Sequence, residues 1–151
     1  MPAHRDRAGF SLIELLTALV VVGVMASLAA PAMGAQLRRA RVRSALDLLT
    51  SDVYQARALA VHQGARFQLA FRPAVGCAQA YVLVRVADGA VVDSVALAGA
   101  GGVCLSSNAA QALTIDSRGM VVGSPRKIYG RAGDQVDSVS VSMAGRLYRW
   151  Y

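Results

Sequence analysis

The sequence predicts an α+β protein in which one long N-terminal helix packs on a C-terminal antiparallel β-sheet domain. The first observation is an apolar stretch at 10–33 that leads directly into a segment with helical periodicity. The second is a series of short alternating runs beyond residue 63, punctuated by Gly, Pro, Asp and Ser. With 151 residues, the chain has room for one folded domain and an anchor.

The apolar stretch at 10–33 reads FSLIELLTALVVVGVMASLAAPAM and contains one charge, Glu14. As a helix it is long enough to cross a bilayer core of about 30 Å. A secretory signal peptide is the alternative, because Arg5 and Arg7 precede the stretch and Ala30 begins a small-residue sequence. The mature protein would then be a secreted β domain that begins after about Ala30. Glu14 argues against this alternative, because a carboxylate costs about 2.5 to 3.5 kcal/mol at the bilayer centre and needs a partner.

Residues 34–62 are predicted to continue as an amphipathic helix. Their apolar side chains recur at spacings of three and four, which places them on one helix face that packs on the β domain. This face consists of Val42, Ala45, Leu46, Leu49, Val53, Ala56 and Ala60. We expect the helix to run to about His62, where Gly64 ends it.

Residues 63–151 are predicted to form the β-rich domain. Short runs of alternating character are separated by turn residues, as in an antiparallel sheet. The predicted strands are Arg66–Phe71, Tyr81–Val86, Val91–Leu97, Ala112–Asp116, Met120–Val122, Val136–Met143 and Arg146–Tyr151.

The two cysteines, Cys77 and Cys104, lie in the β-rich part of the chain. They lack the CxxC or Cys/His spacing of a metal site. A disulfide formed in an oxidising compartment is favoured over two buried free thiols.

Enzyme chemistry has little support in the sequence. His62 is the one histidine outside the first nine residues, and no nucleophile, base and orienting group form a recognisable motif. We therefore expect a non-enzymatic protein without a cofactor or a metal.

The N-terminal sequence Gly9-Phe10-Ser11-Leu12-Ile13-Glu14-Leu15-Leu16 resembles the leader junction of type IV prepilins. The resemblance implies that residues 1–9 are a leader, that prepilin peptidase cuts between Gly9 and Phe10, and that the new amino group of Phe10 becomes methylated. It also implies that Glu14 serves assembly. A positive amine on one subunit can neutralise the Glu14 carboxylate of a neighbour in a low dielectric.

The β-rich part is similar to the GspH/FimT group, a set of minor pilins and minor pseudopilins. The similarity lies in Ala112-Leu113-Thr114-Ile115-Asp116-Ser117-Arg118-Gly119 and in Val139-Ser140-Val141-Ser142-Met143-Ala144-Gly145-Arg146. It implies a type IV pilin-like fold and other pilins as partners. The expected function is a minor pilin of the pilus tip or initiating complex, which takes part in DNA capture during natural transformation. The alternative is the H-type minor pseudopilin of a type II secretion system.

The same resemblance implies a location in the bacterial inner membrane, in contact with its lipid, with the C-terminal domain in the periplasm before the subunit enters a fibre. The four arginines at 38–43 would then lie next to lipid headgroups or acidic neighbours. A count of positive charges alone favours the opposite orientation, because these arginines outnumber Arg5 and Arg7. The leader motif outweighs that count.

The tail of the chain is a candidate DNA-binding segment. The protein carries a net charge of +7, and the last 34 residues interleave cations with Tyr and Trp. Gly145-Arg146-Leu147-Tyr148-Arg149 resembles a Gly-Arg-x-Arg motif with one extra residue, and Arg126 and Lys127 are further candidates for binding double-stranded DNA. In a regular strand Arg146 and Arg149 would point to opposite faces. The alternative is a final strand whose arginines are only solvated.

Overall fold

The computed structural model describes residues 11–73, 76–97, 102–108 and 112–149, without the side chains of 28–32. The chain divides into two compact units, Met1–Gln36 and Leu37–Tyr151. Helix α1 is Leu12–Gln63 and contains 52 residues. It begins after Ser11, whose carbonyl accepts hydrogen bonds from the N–H groups of Glu14 and Leu15.

The end of α1 agrees with the prediction. Gly64 follows the helix with a φ of 61°, a left-handed conformation that favours glycine. The N–H of Ala65 donates to the carbonyl of Ala60 at 3.2 Å, which closes the helix with the six-residue bond of a Schellman motif.

In the first unit, the described side chains from Ser11 to Ser27 are all exposed. The large apolar ones among them are Leu12, Ile13, Leu15, Leu16, Leu19, Val20, Val21, Val22, Val24 and Met25. Within the described residues, no helix combines the length and apolarity that crossing a membrane requires. The membrane-spanning role of 10–33 therefore stays a prediction.

In its described residues, the second unit contains eight strands besides the second half of α1. The strands are β1 Phe67–Arg72, β2 Ala80–Arg85, β3 Val91–Ala96, β4 Cys104–Ser107, β5 Ala112–Ile115, β6 Arg126–Ala132, β7 Gln135–Val141 and β8 Leu147–Arg149. They form two four-stranded sheets, with orders β3-β2-β1-β5 and β4-β6-β7-β8. Every strand pair is antiparallel, so the predicted fold class is confirmed.

Two strands were missing from the sequence prediction, and one predicted strand does not form. Met120–Val122 contributes only an isolated bridge between Val121 and Ile115. The missed strands are β4 and β6, and β6 lies inside the second sheet. Gly130 argues against a strand in the sequence at β6, because glycine in the interior of a strand usually weakens that strand. Here a Cβ at Gly130 would lie 3.1 Å from Val42 Cγ1 and 3.2 Å from Leu46 Cγ, so the glycine permits close approach of α1.

The predicted apolar face of α1 forms one side of the core. All seven of its residues, from Val42 to Ala60, are 3% exposed or less. They meet inward side chains of both sheets, including Leu69 and Ile115 from the first and Ile128 and Val139 from the second. Burial of a leucine contributes roughly 1.5 to 3 kcal/mol, so this face holds the helix on the β domain.

The predicted disulfide is present and lies where the two sheets meet. Cys77 and Cys104 are bonded, with their Cα atoms 5.1 Å apart. Next to them, Ala78 and Leu105 form an isolated antiparallel bridge whose two hydrogen bonds are each 2.9 Å long. The bond therefore ties the segment before β2 in the first sheet to β4 in the second.

Candidate functional site

The residues predicted for processing and assembly lie at the start of the chain. Gly9 and Phe10 are outside the described residues. Glu14 is exposed in the first turn of α1. Its backbone carbonyl accepts a 2.9 Å hydrogen bond from Thr17 Oγ1, and its side chain is exposed at the helix surface.

The four cations predicted to contact DNA do not share one surface. Strand alternation places Lys127 on the side of the second sheet that faces away from α1 and places Arg126 on the inward side. Arg146 and Arg149 are separated in the same way, since Arg149 pairs with buried Val139 while Arg146 is exposed in the turn before β8. The predicted opposition of Arg146 and Arg149 is therefore present.

Arg149 is held by two carboxylates on the inward side. Its Nη1 donates to Asp47 Oδ1 of α1 at 2.6 Å, and its Nη2 donates to Asp137 Oδ2 of β7 at 2.8 Å. The side chain is 17% exposed. These contacts attach the short strand β8 to the helix and to its neighbouring strand, and they do not support a DNA contact by Arg149.

Arg126 joins the two sheets. Its guanidinium donates to the carbonyl of Ala112 in β5, and the side chain is half-buried. This arginine therefore makes a structural contact from the second sheet to the first. It lies on the opposite side of β6 from Lys127, its neighbour in sequence.

The outward side chains of the second sheet form a continuous surface, which we call the outer face. Its members are Cys104, Ser106, Lys127, Tyr129, Arg131, Val136, Ser138, Ser140 and Tyr148. Cross-strand pairing sets Lys127, Ser140 and Tyr148 in one row, and Ser106, Tyr129 and Ser138 in the next. The outer face thus presents tyrosines and cations, with serines next to them on the neighbouring strands.

Arg146 extends this outer face at one end. The N–H of Ser142 donates to the carbonyl of Arg146 at 2.9 Å, and the N–H of Arg146 donates to Ser142 Oγ at 3.1 Å. Ser142 continues the alternation of Ser138 and Ser140, so the row formed with Arg146 follows the row that contains Tyr148.

The electrostatics of the outer face favour an anion. Lys127 Nζ lies 5.5 Å from the centroid of the Tyr129 ring, within cation–π range. None of the described residues of the outer face is acidic. The interleaved cations and aromatic residues of the tail predict nucleic-acid binding, but Tyr129, Arg131 and Tyr148 were not among the individual residues predicted for it. The alternation of Lys127, Tyr129 and Arg131 along β6 would have indicated the first two.

The two sequence patterns similar to GspH/FimT proteins meet in space. The N–H of Val121 donates to the carbonyl of Met143 at 2.9 Å. Gly119 and Gly145 both have positive φ and both lie against the Arg57 side chain of α1, where a Cβ at Gly119 would come within 2.9 Å of Arg57 Cγ. The patterns therefore encode two turns that close over the helix.

Two of the four basic residues after the apolar stretch contact the β domain. Arg38 Nε donates to Asp134 Oδ1 at 3.1 Å, and Arg39 Nε donates to Gln135 Oε1 at 2.6 Å. Both acceptors belong to the β6–β7 hairpin, so these arginines contact that hairpin, and their expected role with lipid or neighbouring subunits stays a prediction. Arg41 and Arg43 are exposed.

The buried polar pair of the core lies away from the outer face. Tyr81 Oη donates to Asp52 Oδ2 at 2.5 Å, and Asp52 is 8% exposed. Burial, and secondarily the hydrogen bond to Asp52, raise the pKa of Tyr81 well above its usual value. This pair connects α1 to β2. The described residues contain no group of His, Cys, Asp and Glu side chains that could hold a metal ion.

Comparison with known proteins supports the pilin resemblance. Residues 4–30 match the prokaryotic N-terminal methylation motif. The sequence matches none of the curated proteins. The structure is similar to a crystal structure of the type IV minor pilin FimU from Pseudomonas aeruginosa PAO1, with a TM-score of 0.63 and 21% identity over 75% of this chain and 90% of FimU.

A second similar structure is the minor pseudopilin EpsH from the type 2 secretion system of Vibrio cholerae. The TM-score is 0.56 and the identity is 15%, over 73% of this chain and 96% of EpsH. Both are subunits with a pilin fold rather than enzymes. The chain therefore has a prepilin-type N-terminal motif and the fold of type IV pilin-like proteins, as the resemblance to the GspH/FimT group predicted.

Proposed function

We propose that this protein is a minor type IV pilin of the pilus tip or initiating complex that contacts DNA through the outer face of its second sheet. The observation that carries the assembly role is the methylation motif at 4–30 in front of a pilin-like fold. The exposed apolar side chains from Leu12 to Met25 add support, since a helix that is apolar on all sides needs lipid or protein around it.

Assembly would begin with cleavage between Gly9 and Phe10 by prepilin peptidase and methylation of the Phe10 amine. The protein would then sit in the bacterial inner membrane, with the β domain in the periplasm, until it enters the fibre. The exposed position of Glu14 in the first helical turn supports a contact with the amine of a neighbouring subunit. In a low dielectric, that opposite charge would offset much of the cost of burying the carboxylate.

The DNA contact would rest on Arg146 and Lys127, which both belong to the outer face or its end. Arg131 adds a third cation on the same surface. Cations grouped without an intervening carboxylate suit a phosphate backbone, because each neutralised phosphate releases counterions. The inward positions of Arg126 and Arg149 remove them from this proposal.

The alternative is the H-type minor pseudopilin of a type II secretion system. The similarity to EpsH supports it, and the fold is common to both roles. In this case the outer face would contact neighbouring pseudopilins or the exported protein. A deletion strain distinguishes the two: loss of pili and of transformation supports the pilin, whereas retained pili with loss of secreted enzymes supports the pseudopilin.

Mass spectrometry of the mature N-terminus tests the assembly role. The full chain, produced with prepilin peptidase, is expected to begin at a methylated Phe10. Gly9→Val is the control and should remain uncut, because the added side chain blocks the cleavage position. A mature chain that begins beyond Ala30 would contradict the proposal and favour the secreted β domain.

The DNA contact is tested separately in a transformation assay. Lys127→Gln combined with Arg146→Gln should lower DNA uptake while pilus number stays unchanged. Arg66→Gln, an exposed arginine just before β1, is the matched control. Normal uptake in the double variant would remove DNA from the proposed function and leave assembly.

A further inference from the structure

We infer that the outer face of the second sheet is a stacking platform for unpaired bases, so that its preferred ligand is single-stranded DNA. The inference rests on the proposed DNA contact and adds the class of nucleic acid. The inference depends on Tyr129 and Tyr148. A contact between cations and phosphates alone would not need these two rings.

The two tyrosines are placed for separate bases. Tyr129 lies in β6 and Tyr148 in β8, and β7 runs between them, with Ser138 in the row of Tyr129 and Ser140 in the row of Tyr148. Two strand spacings across and two residues along put the anchor points about 12 Å apart. Bases stacked directly on each other rise about 3.4 Å along a strand, so the rings suit splayed bases of an extended strand rather than adjacent stacked ones.

Both rings are at least partly exposed, and one of them has a cation beside it. Tyr148 is 50% exposed, and Tyr129 is half-buried beside the Lys127 ammonium. A base on Tyr129 would therefore carry its phosphate near Lys127, and a base on Tyr148 would carry its phosphate near Arg146, whose row follows that of Tyr148.

A duplex does not fit this arrangement equally well. Paired bases are covered by their neighbours in the stack, so a duplex could offer the outer face only phosphates and sugars. A single strand offers phosphates to the cations and ring faces to the tyrosines. The serine hydroxyls between the rings can donate to or accept from base edges and sugars without demanding one sequence.

The test uses the full chain in detergent and fluorescence anisotropy with a labelled oligothymidine of about 20 nucleotides, long enough for one such site. A mixed-sequence duplex of equal length and inorganic polyphosphate, a polyanion without bases, are the comparison ligands. Tyr129→Leu and Tyr148→Leu should each weaken oligothymidine binding about tenfold and leave polyphosphate binding within twofold. Tyr54→Leu, whose tyrosine is 48% exposed on α1, is the matched control and should change neither.

A salt series separates the two contributions. Lys127→Gln, Arg131→Gln and Arg146→Gln should each reduce the slope of log K against log salt by about 0.7 for the single strand. The tyrosine variants should lower log K at every salt concentration without changing the slope of log K against log salt. Circular dichroism confirms that every variant is folded.

The outcomes distinguish the inference from the proposed function. Equal binding of single strand and duplex, unchanged by loss of either tyrosine, would overturn the stacking platform and keep the DNA contact. No binding of either form at low salt would overturn both. Equal losses for oligothymidine and polyphosphate in the tyrosine variants would show that the rings shape the surface without stacking on bases.

Discussion

Arg149 Nη1 donates to Asp47 Oδ1 at 2.6 Å and thereby connects the last described residue of β8 to the helix on which the β domain folds. The same guanidinium reaches Asp137, so a short edge strand is held at two points. Arg146 is close in sequence but does not share this structural role of Arg149, because alternation along the strand places the two arginines on opposite sides of the sheet.

Replacement of Arg149 should therefore affect stability more than DNA binding. Arg149→Gln should lower the free energy of unfolding by about 1 to 2 kcal/mol, since charge-assisted hydrogen bonds to a largely buried guanidinium are lost. Chemical denaturation measures this, with exposed Arg41→Gln as the control within about 0.5 kcal/mol of wild type. A stable Arg149→Gln variant that no longer binds DNA would reverse the assignment.

Replacement of Gly130 by a larger residue should destabilise the domain. Gly130→Ala should destabilise the domain by about 1 to 3 kcal/mol, because the new Cβ would press on Val42 and Leu46 at 3.1 to 3.2 Å. The double variant Val42→Ala with Gly130→Ala should recover part of that loss, because truncation of Val42 provides space. A double-mutant cycle on unfolding free energies gives the coupling, and strict additivity would exclude this close packing as the cause.

Stability should fall in alkaline solution because of Tyr81. Its pKa is raised in the folded state, chiefly by burial and then by Asp52, with a smaller contribution from the charge of Asp93. A raised folded pKa means that the contribution is fully present below the unfolded pKa of about 10 and is lost as the pH rises above it.

Thermal unfolding between about pH 8 and pH 11 measures this loss. Tyr81→Phe should show a smaller decline in melting temperature over that range than wild type, since its ring cannot ionise. At neutral pH the same variant should be less stable by about 1 to 3 kcal/mol, because Asp52 loses its hydrogen-bond donor. An identical alkaline decline in both proteins would assign the effect to other groups.

The disulfide should supply a large share of the stability of the β domain. The bond closes a loop with a sequence separation of 27 residues, for which loop-closure entropy gives about 3.5 kcal/mol. Reduction with dithiothreitol, or replacement of both Cys77 and Cys104 by Ser, should lower the free energy of unfolding by about this amount. The double Ser variant should then be insensitive to dithiothreitol; equal stability with and without the bond would contradict the prediction.

The long helix, its buried face from Val42 to Ala60, the stop at Gly64 and the antiparallel character of the rest could be predicted from the sequence. These features are local: helical periodicity, strand alternation and a left-handed glycine are each set by neighbouring residues. The methylation motif could be predicted equally well, because it is one contiguous stretch of sequence around Glu14.

Which cations share one surface, in contrast, follows from the tertiary structure. Lys127, Tyr129 and Arg131 lie on one side of the second sheet because β6 is a strand, and Gly130 in that strand permits the close approach of α1. The separation of Arg146 from Arg149 could be anticipated from alternation, whereas the carboxylates that hold Arg149 come from 102 and 12 residues away. Contacts at such separations depend on how the helix and the sheets pack, which no local pattern specifies.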